Sequence, residues 1–427
     1  MQVVICNRAP GLLPSGGVKS AISRFALVGL IFVFEANGAQ TPLANGQTNQ
    51  PAATRAERPK LRPGVPGSEI FDQPTVLDFH VELSETNNHD LETHPREYTR
   101  ATVVVNGVVF RDVGVKLKGR AGSFRSVDDR PAMTLHFSKW VTGRRVFGLR
   151  RLYLNNSVQD ESRLNEYVAS DLFRAAGVPT PRVAWAMVRL NNRKLGLYVL
   201  KEAFETEFLR IYFGSAKGNL YDGEFLRDVD QDLSRESGDG RDDHTDLHAL
   251  REAVNEKDRA VRWEKLNRIL DVDKFATFAA LEVMMADWDG YPLNRNNYRL
   301  YFRPEDGRGV FMPHGMDQLF DRTYIELDSS WSGSVAWALF DTPEGQKLYE
   351  NSCRQVFTNV FQLERMTNLV SRAAEAIKEV YPQISYAASE VQDRIQRRHR
   401  TLRRDPILRS PPVTSPESTN SPSRTSK

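Results

Sequence analysis

The chain is poor in the residues that would make several functional classes easy to assign. It has 427 residues but two cysteines, Cys6 and Cys353, which excludes a disulfide-stapled scaffold. Cys353 sits in Asn-Ser-Cys-Arg with Arg354 as its one basic neighbour. It reads as a buried structural thiol, not as a nucleophile. The eight histidines are scattered along the chain, and no zinc centre is expected. Neither a Gly-x-Ser-x-Gly elbow nor a Walker-type Gly-Lys-Ser/Thr is present, which removes the main support for a serine hydrolase or a P-loop enzyme. A charge excess of one sign is missing too. Lys and Arg number 58 against 55 Asp and Glu, a balance unlike that of a nucleic-acid binder.

Long apolar runs are also scarce. The most apolar stretch, Phe25 to Phe34, is far shorter than the roughly 20 residues that span a bilayer. Arg8, Lys19 and Arg24 precede it, and the small residues Ala36, Gly38 and Ala39 follow. That order predicts a secretory signal over 1–39, hence export, removal of Cys6, and no transmembrane helix in the mature chain. Residues 40–73 read as a flexible linker rich in Ala, Pro, Gly, Asn and Gln. The Ser/Pro/Thr-rich residues 405–427 read as a disordered tail. One domain over 74–404 remains.

Within it the first half predicts strands. Val76 to Leu83, Ala101 to Phe110, Val113 to Gly119 and Ala132 to Phe137 are alternating or β-branched, and Asn106-Gly107 is a hairpin turn. Asp160 is placed to cap a helix that stops at Gly177. Two further strands flank Asn191-Asn192. The second half predicts helices over Asp246 to Glu256, Arg259 to Leu270, Asp273 to Ala286, Pro343 to Phe357, Leu363 to Val380 and Ser385 to Leu402. The fold class is therefore α+β, β-rich in front and helix-rich behind.

The stretch 287–320 holds the densest chemistry. Asp287 and Asp289 follow a helix, Asn294, Asn296 and Asn297 come next, and a predicted hairpin leads to Asp317. Carboxylates and amides suit a hard cation, and magnesium is usually held by one or two carboxylates plus substrate phosphates. A carboxylate that is not a ligand can accept a hydroxyl proton. Upstream, 114–131 sets Lys116, Lys118, Arg120, Arg125 and Arg130 around Gly119, Gly122 and Ser123. Such a segment can cradle phosphate, and taken alone it is equally a solvated hairpin edge. Glu202 interrupts an apolar strand face, where it can pair with a phosphate-binding cation or serve as a helix N-terminal charge. Asp228, Asp230 and Asp232 begin like an EF-hand, but Leu233 stands where Gly is required, so that segment reads as a solvated loop. The basic run 394–404 reads as a solvated terminal helix.

Several pieces together resemble the CotH kinase family of atypical, secreted or spore-coat-associated kinase-like proteins. They are VGVKLKGRAGSF, RPAMTLHF, FGLRRLYLNNSVQDESRLNEYVASDLFRAAGVPTPR, VRLNNRKLGLYVLKE, GNLY, and NRNNYRLY with FMPHGMDQLF. The resemblance implies an atypical protein-kinase-like fold that binds ATP with Mg2+ or Mn2+ and phosphorylates Ser or Thr hydroxyls of protein substrates. By the same resemblance Lys118, Ser123 and Arg130 would face the nucleotide, with Glu202 as their acidic partner. Asp289 would be the catalytic base, and Asn297 and Asp317 the metal ligands. Two departures stand out. Arg130 replaces the family's frequent Lys, and a planar fork is not interchangeable with an ammonium at a phosphate. Pro313-His314-Gly315-Met316-Asp317 replaces Pro-Trp-Asp-x-Asp, so one carboxylate is missing and metal binding should be weaker or more dependent on ATP. Two other readings stay open. One is a non-catalytic envelope or coat protein that keeps the fold for binding. The other is an exported hydrolase or transferase that uses the same acids differently.

Overall fold

The computed structural model of the chain describes residues 64–120, 122–240 and 243–409. The expected signal over 1–39, most of the expected linker, and the tail from 410 onward lie outside the described residues.

Seven strands close into a barrel in the order β1-β2-β3-β4-β5-β7-β6. They are β1 (Val76–Glu82), β2 (Thr99–Val105), β3 (Val108–Lys118), β4 (Ala132–His136), β5 (Arg151–Asn155), β6 (Val183–Leu190) and β7 (Arg193–Glu202). All pairings are antiparallel except β1 with β6, whose parallel ladder closes the ring. Alternation decides what points inward. Phe79, Val103, Val115, Leu117, Leu135, Leu152 and Leu200 fill the interior. Asn106 and Gly107, at φ 47° and 84°, form the tight β2–β3 turn that their sequence announces. The expected break near Asp112 is instead one continuous β3. A register shift opposite Ala101 and Val103 absorbs the irregularity as a bulge.

The short helix Ser68–Phe71 packs Ile70 and Phe71 onto this core. Compact structure therefore begins before residue 74, inside the stretch read as linker; one helical turn is too short to show a period.

The rear part is built on Val272–Met284, a helix buried nearly all round. Asp271 starts it by accepting from the Lys274 N–H at 3.1 Å. Beside it lies a second sheet of β8 (Leu220–Asp222), β9 (Ser234–Ser237), β10 (Tyr298–Phe302) and β11 (Gly309–Pro313), ordered β11-β10-β8-β9. The helices Pro343–Asn359, Leu363–Ile377 and Ile384–Leu402 complete the layer. Arg398, on the last of these, is fully buried. Its guanidinium donates to the carbonyls of Val283 and Met284 at 2.7 and 2.8 Å, and to those of Thr323 and Ile325 at 3.0 and 2.6 Å.

Between the two parts runs Asn165–Ala175. Its start is later than Asp160, yet Asp160 still ties it off: Oδ2 accepts from the Asn165 N–H and Oδ1 from the Ser162 N–H, both at 3.1 Å.

Candidate functional site

The outer faces of β3, β4 and β5 roof a cleft of about 560 Å³, floored by the second sheet and the loops around it. Roof residues are those left outward by strand parity: Lys116, Lys118, Ala132, Thr134, Tyr153 and Asn155. The floor presents Asp222, Glu236, Arg299, Asp289, Asn297 and Asp317. Five residues expected from the sequence meet here: Lys118, Ser123, Asp289, Asn297 and Asp317.

The β3–β4 loop turns on Gly119 and Gly122, at φ 96° and 79°, a backbone that side chains disfavour. A Cβ on Gly119 would stand 3.0 Å from the Ser123 hydroxyl. That hydroxyl accepts from the Arg120 N–H at 3.1 Å, so Ser123 braces the loop from within.

Arg130 and Glu202 are placed elsewhere. Arg130 donates to the Leu197 carbonyl and lies 4.9 Å over the Tyr198 ring. Glu202, 1% exposed, accepts from Arg182 at 2.7 and 2.9 Å. The reason is parity: successive strand residues point to opposite faces, so Glu202 faces away from its neighbour Lys201. Lys201, which the sequence reading passed over, is fully buried and meets Glu166 at 2.7 Å. Glu166 also accepts from the Asn155 amide at 3.1 Å, and Asn155 accepts from Lys118 at 2.5 Å. Lys118, Asn155, Glu166 and Lys201 thus form one polar row, with the Lys118 ammonium 4.5 Å over the Tyr153 ring. A lysine on an otherwise apolar strand was the available signal for this row.

The Asp289 carboxylate accepts from three amides: Asn294 at 2.7 Å, Asn297 at 2.9 Å and Asn296 at 3.1 Å. The amide cluster is therefore a holder for one acid. Asp317 follows β11, and among the described residues no ion pair engages its carboxylate. Burial foremost, then Glu166 and Asp160, push it up to about 8 against the opposing pull of Lys201. Lys118 is drawn down to about 7, by burial first and then by Lys201, with Glu166 and Asp317 opposing.

Asp287, read as a helix end, lies deeper. It and Glu282 are each 1% exposed. Both Glu282 oxygens and Asp287 Oδ2 have no hydrogen-bond partner. Burial foremost raises both acids well above the carboxylate range, with Asp287 adding to it at Glu282, and Asp289 and Asp317 adding to it at Asp287. Asp228 also departs from its solvated reading. It is 1% exposed and accepts from the Tyr291 hydroxyl and the Ser334 N–H, both at 2.8 Å. Cys353 is fully buried.

Among the described residues no group of three or more His, Cys, Asp or Glu side chains is disposed to hold a metal ion. A cation at this site would rest on Asp317 and the Asn297 amide. A buried acid with no ion pair among the described residues, pressed by other acids, fits that role. Among the described residues no helix is long and apolar enough to cross a membrane.

The molecule is a mixed α+β protein whose β-rich N-terminal part and helical C-terminal part share one polar cleft. Residues 122–404 match the family model described as CotH kinase protein, and the chain belongs to that family. It is 23% identical to the inner spore coat protein H of Bacillus subtilis (strain 168) over 274 residues, covering 57% of this chain and 72% of the relative. It is 23% identical to invasin CotH3 of Rhizopus delemar over 282 residues, which is 60% of this chain and 45% of the relative. The chain thus spans less than half of that invasin. Among solved structures, the Helicobacter pylori proinflammatory kinase CtkA aligns over 63% of this chain and 94% of its own, at 9% identity and a TM-score of 0.31.

Proposed function

We propose that the protein is an ATP- and divalent-metal-dependent protein kinase that phosphorylates Ser or Thr hydroxyls of exported proteins. The observation that carries this reading is the meeting, in one cleft, of Lys118, the Ser123 loop, Asp289, Asn297 and Asp317. Their chain order supports it as well: glycine loop, helix acid Glu166, amide-held Asp289, hairpin, then Asp317. This is the sequence of parts that phosphoryl transfer uses in protein kinases.

In the proposed reaction the substrate oxygen bonds to the γ-phosphorus while the bridging P–O bond breaks and ADP leaves. Asp289, fixed by its three amides, takes the hydroxyl proton. Lys118 and the Ser123 loop face the phosphates. Mg2+ or Mn2+, held by Asp317 and Asn297, would offset phosphate charge. Export, the reading of residues 1–39, makes exported proteins the substrate class. Phosphate incorporation from labelled ATP by wild type, Asp289→Ala and Asp317→Ala tests the assignment. Wild type should label its substrate and both variants should fail; three equal signals would overturn it.

A second reading has its own observation. Gly315 removes a carboxylate from the floor, as a protein that keeps the fold for binding alone could afford. That reading gains if ATP with Mn2+ gives no thermal shift in the purified chain.

A further inference from the structure

We infer that Asn165 is a positioning residue for the divalent cation, acting through the backbone of Asp317. Its side-chain amide donates to the Asp317 carbonyl at 2.7 Å, bridging helix and loop across 152 positions of sequence. Asn165 is 1% exposed, and its other amide atom, Oδ1, is buried without a donor.

A structural role in the helix does not account for this amide. The side chain does not cap: Leu164 is the N-cap residue, with no side-chain cap, and the Asn165 backbone N–H is met by Asp160. The amide spends its donor on the one loop that carries Asp317. A buried acceptor left open is costly. Outer groups of this kind orient the ligands of a metal.

The neighbouring residue completes the argument. Glu166 holds Asn155 and Lys201, so one turn of helix fixes the lysine row with Glu166 and the acid with Asn165. Gly315 leaves Asp317 as the one carboxylate at its end of the Met316 loop, so the placement of that single acid has no second carboxylate to correct it.

The inference rests on Asp317 as the metal-bearing residue, and the experiment separates the two. Mn2+ binding by the full chain in the presence of ADP is read from the electron paramagnetic resonance of free Mn2+. The proteins compared are wild type, Asp317→Ala, Asn165→Ser and Asn165→Leu, with the thermal midpoint of each metal-free protein as control. Asn165→Leu keeps the volume and removes the open acceptor, so a purely structural asparagine predicts unchanged Mn2+ affinity there. The expected result is a loss of Mn2+ affinity of about tenfold or more in both Asn165 variants, with the metal-free midpoint of Asn165→Leu retained. Unchanged affinity in either folded Asn165 variant, with affinity lost in Asp317→Ala, overturns this inference alone. Unchanged affinity in Asp317→Ala overturns the metal assignment and this inference with it.

Discussion

Asn297 occupies the space that a side chain at Gly315 would need. A Cβ on residue 315 would stand 2.5 Å from Asn297 Oδ1, and the backbone there is left-handed at φ 61°. The same Asn297 donates to Asp289 at 2.9 Å, and its carbonyl accepts from the His314 N–H at 2.8 Å. The missing carboxylate and the amide holder of Asp289 are therefore two sides of one packing choice.

Gly315→Ala should destabilise the protein by about 1–2 kcal/mol from the left-handed backbone alone, plus the cost of moving Asn297. In Asn297→Ala the second part disappears. Urea denaturation of the two single variants and the double variant should show a sub-additive loss; strict additivity would mean the two side chains do not compete.

Lys201→Met leaves Glu166 buried without its ammonium. Breaking a buried pair in this way costs about 3–5 kcal/mol, and the ATP-dependent thermal shift should disappear with it. Adding Glu166→Gln should recover much of the stability. Glu202→Gln, on the opposite strand face, should lose stability and leave nucleotide affinity unaltered.

Mn2+ affinity should rise with pH. Asp317, held up to about 8, must give up its proton to bind a cation. Isothermal titrations across that value should show tighter binding at higher pH in wild type and a flat profile in Asp317→Asn.

The buried Glu282–Asp287 pair makes stability pH-dependent. Both acids hold protons more tightly when folded than when unfolded. Their contribution is therefore fully present below the unfolded carboxylate range and lost as pH rises above it. Glu282→Gln should flatten that decline and raise the melting temperature at neutral pH. A wild-type melting temperature that rises over the same interval would contradict it.

The strands of the barrel were legible because alternation and Asn106-Gly107 announce themselves locally. β8 and β9 were not read as strands from local pattern: they have three and four residues, too short for a period. The meeting of Asp289, Asn297 and Asp317 in one cleft was legible because chemistry and loop coincide there. It was misread at Glu202, where one step along a strand exchanges cleft for core. Asn165 and Glu166 were hidden for a different reason. On a helix they look like ordinary first-turn polar residues, and only the tertiary approach of β5, β7 and the Asp317 loop gives them partners.

Arg398 carries a consequence for the outline of the protein. One planar cation, held by four carbonyls, joins the end of the helix that leads to Asp289 with the segment that leaves Asp317. It does so from the far end of the folded chain. The cleft therefore cannot be cut free as a shorter fragment ending after β11: a chain stopped before the last long helix would keep every cleft residue and lose the fastener that sets its two acidic loops in register.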